Sequence, residues 1–380
     1  MRNIISIIAA LSLFGCTADS SFVDFGGDNE ANEREDATTS GINFAHKEWQ
    51  LVCDSTHTCR ATAATANTLA LMITRKAGPN QLPVAKLRLS DYSGALNDSL
   101  LIGIRRMVFR VDDFSEIAFS PDGRGNYLLD EVRAAELIDA LKENRQVVFE
   151  VTDYSATPKK LLISGDGAYA IFLKMDEIQK RAGTFAALVK KGSKDESEVL
   201  LPRDAPVVKR VMPQGYRFEF MGTPLEPASM KVVREKLIGS LGDAGDCPAL
   251  QAARSNIYAF HLNKNKLLLS ASCQGWPAAF ELEQSTDYRV GYWVIDKNYH
   301  ESPSLVTLDA THYGNGLIST SRSPAMDCYE SKAWIWDGVK FVLGNSFIKG
   351  ICNRNTVYPE QWELPINVVN EIIPDTHLSD

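Results

Sequence analysis

The spacing of hydrophobic positions changes several times along this chain, and each change marks a different kind of element. Ile4 to Leu13 is an almost unbroken apolar run, too short to span a bilayer. A long polar stretch follows. From Trp49 short runs rich in Val, Ile, Leu and Phe recur, and these are predicted strands: Trp49–Cys53 and Cys59–Ala61 about the polar turn Asp54–Thr58, then Leu69–Arg75, Val84–Leu89, Leu101–Val111 and Val147–Thr152. Pro121 to Gly125 reads as a turn. The period lengthens to helical spacing at Val132, Ala135, Ile138 and Leu141, with Asp130 placed to cap that helix. A second helix is predicted over Ala168–Gln179, ending before Gly183.

Residues 192–224 break the pattern with charged and small residues and then Pro202, Pro206, Pro213 and Pro224, which suits a linker or an irregular crossover. A helix over Pro227–Ser240 comes next. Strands are then predicted at Tyr258–Phe260, Lys266–Ser272, Ala278–Leu282, Tyr288–Ile295, Val306–Asp309, Leu317–Thr320, Lys332–Trp336, Val339–Leu343 and Phe347–Ile351. Asn315-Gly316 and Asp337-Gly338 mark hairpins among them. The predicted fold class is α+β in two domains, an α+β unit over 46–191 and a β-rich one over 225–375, the second mainly an antiparallel sheet or small barrel.

The N-terminus adds an address. Arg2 precedes the apolar run, and Gly15 precedes Cys16, the layout of a bacterial lipoprotein signal over residues 1–15 with Cys16 as the lipidated residue. Phe14 is bulkier than is usual at its position, and an ordinary secretory signal cut slightly later is the alternative. Thr17, not Asp, follows the cysteine and favours outer-membrane sorting, facing the periplasm. Between positions 17 and 45, Asp19, Asp24, Asp28, Glu30, Glu33, Glu35 and Asp36 stand against Arg34 alone. A stretch so acidic and so poor in large apolar residues cannot offset its ordering entropy, so 16–45 reads as a disordered tether.

Much of the net charge of −8 sits in that tether, and the body is nearly balanced. Nucleic acid is therefore a poor partner. With 44% hydrophobic and 23% charged residues the remainder has the make-up of a folded protein. Apart from Cys16 there are six cysteines, an even number that in an exported chain reads as disulfides. Fifteen pairings exist. Clustering along the chain favours Cys53–Cys59, Cys247–Cys273 and Cys328–Cys352. No Cys-x-x-Cys occurs and no His lies at ligand spacing beside them, so a metal site is not expected.

Several motifs carry a resemblance: Trp49-x-x-x-Cys53-Asp54-x-x-x-Thr58-Cys59-Arg60, the Asp112-Asp113-Phe114 turn, Lys174-Met175-Asp176-Glu177, and Trp334-Ile335-Trp336-Asp337-Gly338-x-x-Phe341. Together with the spread of cysteines they resemble the bacterial envelope family catalogued as domain of unknown function 1176, over most of 46–365. The chain departs from that pattern at Ser55, at Ala63-Ala64 and at Ser164-Gly165-Asp166-Gly167. The first domain also resembles, more distantly, the invasion-associated locus B family, in its Trp-x-x-x-Cys opening, paired hairpins and helix–strand–helix order. Both resemblances imply an exported module; neither implies a reaction.

Catalytic signatures are weak. No Gly-x-Ser-x-Gly elbow occurs, and His46, His57, His261, His300, His312 and His377 form no His-x-x-x-His pattern. His300 and His312 bracket a strand that carries Asp309, and with Asp296 they form the one candidate acid/base cluster, a periplasmic hydrolase site. Asp112 and Asp113 are neighbours and face opposite sides of a strand. Aromatic residues are the stronger feature. Trp276, Tyr288, Tyr292, Trp293, Tyr299, Tyr313, Tyr329, Trp334 and Trp336 crowd the second domain, and exposed aromatics suit protein contact. Candidate binding residues are Trp276, Tyr313, Tyr329, Asn353, Tyr358 and Trp362, with Cys328–Glu330 and Asn353–Gln361 as partner-facing loops. The expectation is a lipid-anchored protein that binds another envelope or foreign protein, as an inhibitor, immunity or assembly factor would. It touches membrane through lipid alone, needs no cofactor or metal, and is not an enzyme. A surface or invasion-associated factor is a further alternative.

Overall fold

The computed structural model describes residues 41–64, 69–89, 106–111, 114–119, 126–145, 147–152, 159–213, 222–243, 245–274, 289–325, 328–350, 363–368 and 372–374. In chain order its first half contains β1 (Ile42–His46), β2 (Trp49–Cys53), β3 (Cys59–Ala64), β4 (Leu69–Arg75), β5 (Val84–Leu89), β6 (Arg106–Val111), β7 (Phe114–Phe119) and β8 (Asn126–Leu128). Then come α1 (Glu131–Lys142), β9 (Val147–Thr152), β10 (Lys159–Ile163) and α2 (Ala168–Ile178). One antiparallel sheet has the order β1-β2-β3-β4-β5-β8, and a second runs β10-β9-β6-β7.

Alternation on β4 sends Leu69, Leu71 and Ile73 into a core shared with α1, α2 and β9. Asp130 caps α1 as its sequence position predicts: its carboxylate accepts from the Arg133 amide at 3.0 Å. Trp49 anchors α2, its indole N–H donating to the Ser164 carbonyl (2.9 Å) and its ring meeting Phe172 edge-on, centroids 5.4 Å apart. Cys53 and Cys59 lie opposite one another at the end of the β2–β3 pairing and form a disulfide. The strand β1 corrects the tether expected over 16–45, because residues 42–45 pair with Gln50–Cys53. The apolar alternation of Ile42 and Phe44, with Phe44 packed on the core, gives that segment a strand face.

After α2 the chain does not leave at once. Residues 179–203 fold back on the sheet end, with Gly78 N–H donating to the Leu200 carbonyl (2.8 Å) and Arg203 N–H to that of Thr56 (3.3 Å). A buried charge knot holds this return. Arg75 pairs with Asp176 at 3.3 Å and donates to the Ala186 carbonyl (2.8 Å). Arg181 pairs with Glu196, whose other oxygen accepts from the Asn80 amide (2.6 Å). All four charged groups have partners, as burial in a low dielectric demands.

The second half holds β11 (Val208–Arg210), β12 (Thr223–Pro224), α3 (Pro227–Gly239), α4 (Pro248–Gln251), β13 (Ile257–His261), β14 (Lys266–Ser272), β15 (Val290–Asp296) and β16 (Ser304–Ala310). It continues through β17 (His312–Gly314), β18 (Leu317–Ala325), β19 (Cys328–Trp336), β20 (Phe341–Gly350), β21 (Glu363–Asn367) and β22 (Ile372–Pro374). β12 to β16 form one antiparallel sheet in sequence order and β17 to β21 another, while β22 pairs parallel with β11. The two stretches predicted as separate strands around Gly344 are one strand, β20, irregular where it passes Ala333 and Trp334.

The middle sheet is covered on both faces, which is why β15 is buried from Val290 to Ile295. Trp293 and Ile295 pack beneath α3 and α4, beside the Cys247–Cys273 disulfide. Val290, Tyr292 and Val294 point the other way, into a core with Ile318, Trp334, Trp336 and Leu343 of the last sheet. The β17–β18 hairpin turns on Asn315 (φ 55°) and Gly316 (φ 71°), the positive pair of a two-residue turn. The last sheet also touches the first: Val52 points away from its own core onto Ile348 and Leu364, and the Ser55 hydroxyl accepts from the Val368 amide at 3.0 Å. Among the described residues no helix is long and apolar enough to cross a membrane.

Candidate functional site

One face of the last sheet changes character part-way along its strands. On β18 the residues Ile318, Thr320 and Arg322 share a face, and across from them on β19 stand Trp334, Lys332 and Glu330. The Ile318–Trp334 end is apolar and buried beneath the middle sheet. Two residues further along, the same face carries Thr320 with Lys332, then Arg322 with Glu330. β20 sets Ser346 and Ile348 opposite Lys332 and Glu330, and β21 adds Ile366. Asp309 of β16 closes the side. These residues line a cavity of about 230 Å³ together with Ser331 and Phe347.

Its electrostatics are mixed in sign. Arg322 forms an ion pair with Asp309, joining the last sheet to the edge strand of the middle one. Burial pushes the Glu330 carboxyl above its ordinary value, against the pull of Arg322 and Lys332. Three buried oxygens accept from no described residue: Asp309 Oδ1, Thr320 Oγ1 and Glu330 Oε1. Thr320 is 5% exposed. A buried polar atom without a partner costs about 1–3 kcal/mol, and three residues that carry such an atom border this one recess.

The residues singled out in the sequence fall elsewhere. Tyr313 is a core residue, not a partner-facing one; its ring lies 4.8 Å from Phe260 and 6.0 Å from Tyr292. It belongs to the apolar set that joins the two sheets, so burial outweighs its polar tip. Tyr329 lies on the opposite face of the last sheet, accepting from the Ser321 hydroxyl at 2.9 Å, with its ring 6.1 Å from Phe347. Cys328 is disulfide-bonded. Its expected partner Cys352 lies outside the described residues, as do Cys16, Trp276, Asn353, Tyr358 and Trp362.

Of the expected acid/base cluster only Asp296 and His300 come together. His300 sits in the β15–β16 turn, where Lys236 donates to its carbonyl at 2.9 Å and Asp296 is held by the amides of Asn298 and Glu301. Asp309 is at the far end of β16, roughly 17 Å of strand away. Its carboxylate faces Arg322, and His312 pairs through its backbone with Ser319. The residues that do converge are Thr320, Arg322, Glu330 and Lys332. Their trace in the sequence is parity: Glu330 and Lys332 share the even positions of Trp334 and Trp336, so core and recess lie on one face.

The recess and the strands that build it fall within one family match. The family model described as "Protein of unknown function (DUF1176)" matches residues 43–368. The chain belongs to this family. The DUF1176 match opens inside β1 and closes just after β21, so it takes in both halves and the contact between them. No curated protein matches the chain. Among solved structures it is similar to invasion associated protein b from Bartonella henselae, at 14% identity and a TM-score of 0.27, over 37% of this chain and 99% of that one.

Proposed function

We propose that this DUF1176 protein is exported, held to a bacterial envelope by lipid on Cys16, and acts by binding a ligand in the recess between its last two sheets. The observation that carries the binding reading is the trio of buried acceptors, Asp309 Oδ1, Thr320 Oγ1 and Glu330 Oε1, around one cavity. The disulfides Cys53–Cys59 and Cys247–Cys273, with Cys328 also bonded, support export, since such bonds persist in oxidising compartments. Native mass spectrometry of the chain isolated from its own envelope, beside a Thr320→Val, Glu330→Gln double variant, tests this. A small-molecule adduct on the parent that the variant lacks is the expected result. No adduct on either protein overturns it.

A second reading is favoured by the other face of the last sheet. Tyr329 and Phe347 stand together there, with the Lys349 ammonium 5.5 Å from the Phe347 centroid. Aromatics flanked by a cation suit a protein partner, another envelope protein or a foreign one. Affinity capture with Tyr329→Ala as control tests it, and retention of the same stoichiometric partner by the variant excludes this face.

A further inference from the structure

We infer that the recess takes a small zwitterion bearing a primary ammonium and a carboxylate, the chemistry of a free α-amino acid. The inference rests on the reading of the recess as a binding site and names what would fill it. Three acceptor oxygens there have no described donor, and Thr320, which carries one of them, is 5% exposed. An ammonium group offers three N–H donors and no acceptor, a numerical match to Asp309 Oδ1, Thr320 Oγ1 and Glu330 Oε1. Thr320 and Glu330 lie on adjacent strands, one residue pair apart on the same face, so both border the same recess. Asp309 is tied to that spot through its ion pair with Arg322.

The charge balance argues for the other half of the ligand. Asp309 and Glu330 supply two negative groups, Arg322 and Lys332 two positive ones. A site of no net charge gives little advantage to a simple cation or a simple anion. A molecule with both signs satisfies both sides, its carboxylate meeting the ammonium of Lys332. A divalent metal fits poorly: magnesium and calcium need six or more oxygen ligands, and here two cations flank the three oxygens. The size agrees, since about 230 Å³ falls below the roughly 300–1,000 Å³ of sites for drug-sized ligands. Ile348 and Ile366 give a short side chain an apolar wall.

The test is isothermal titration of the oxidised mature chain with L-alanine and L-valine, and with ethylamine and acetate as single-charge probes. The expected result is that an amino acid binds at least about tenfold tighter than either single-charge probe, and that Thr320→Val and Glu330→Gln each weaken it by about tenfold or more, the usual scale for a lost hydrogen bond to a charged group. Circular dichroism of the variants checks their folding, and Lys332→Gln, a change at a partly exposed position, gives an independent arm that weakens the amino acids and leaves ethylamine unchanged. Ethylamine binding as well as L-alanine overturns the zwitterion in favour of a plain amine site. No heat from any of the four probes overturns the inference outright. If native mass spectrometry still shows a recess-dependent adduct, the binding reading stands and only the ligand class falls.

Discussion

Arg322 on β18 reaches across to Asp309 on β16 and holds the edge of the middle sheet against the last one at the mouth of the recess. Both side chains are partly exposed, 42% and 30%, so solvent screens the pair. Asp309→Asn should therefore lower stability by less than about 1 kcal/mol in urea unfolding. The same variant should weaken ligand binding in the recess clearly. A loss of several kcal/mol would mean that the pair is a structural clamp.

The knot at the end of α2 should behave oppositely. Glu196→Gln takes from the fully buried Arg181 the carboxylate it pairs with directly, leaving only Asp176, which Arg75 shares, and removing one member of a buried pair costs about 3–5 kcal/mol. Chemical denaturation of the variant measures this, and a change below about 1 kcal/mol would show that the return segment 179–203 contributes little to the fold.

Glu330 predicts a pH effect of definite sign. Burial raises its folded-state pKa above the unfolded 4.5, so the folded chain holds that proton more tightly than the unfolded chain does. This contribution is fully present below 4.5 and is lost as pH rises through the folded value. Arg322 and Lys332 oppose the shift, and the Asp309 carboxylate shares the cavity. Glu330→Gln should gain stability relative to the parent at pH 7 compared with pH 4. Parallel stability curves for the two proteins across that range would contradict it.

Asp130→Ala removes the cap of α1 and should cost about 1 kcal/mol, read as a lowered unfolding midpoint. Asn at the same position should restore most of it, because its side-chain oxygen also accepts from the Arg133 amide.

Two further outcomes concern the cysteines. Cys16→Ser should release the chain from membranes on fractionation, and unchanged membrane association would end the lipid proposal. Alkylation of the denatured, unreduced mature chain should find no free thiol; two or more would break the pairing scheme.

Local chemistry made much of this fold legible. Asp130 before a helical period, the run Leu69–Arg75 and the Lys266–Ser272 strand each carried their own signal, and each is found at those bounds or within a residue of them. Strands β7 and β10 were not anticipated. The first begins directly after Asp112-Asp113, a pair that reads in the sequence as a turn, and the second takes its identity from pairing with β9. The recess was not legible because it depends on two sheets: Thr320 and Lys332 look like solvent residues until Asp309 is brought in from β16. Tyr313 misled for the same reason, since nothing in its neighbours announces that Phe260 and Phe341 will enclose it.

The close approach of Val52 and Ser55 to the last sheet sets where a mooring line would attach. Gly41, where the described chain begins, lies against the carbonyl of Ile366, and Ile366 lines the recess. A random coil of 25 residues, the number from Cys16 to residue 40, has an r.m.s. reach of about 25–30 Å. With lipid on Cys16, the recess would then ride within a few nanometres of the bilayer surface, on the moored side of the molecule, sampling solutes in the thin layer next to the membrane.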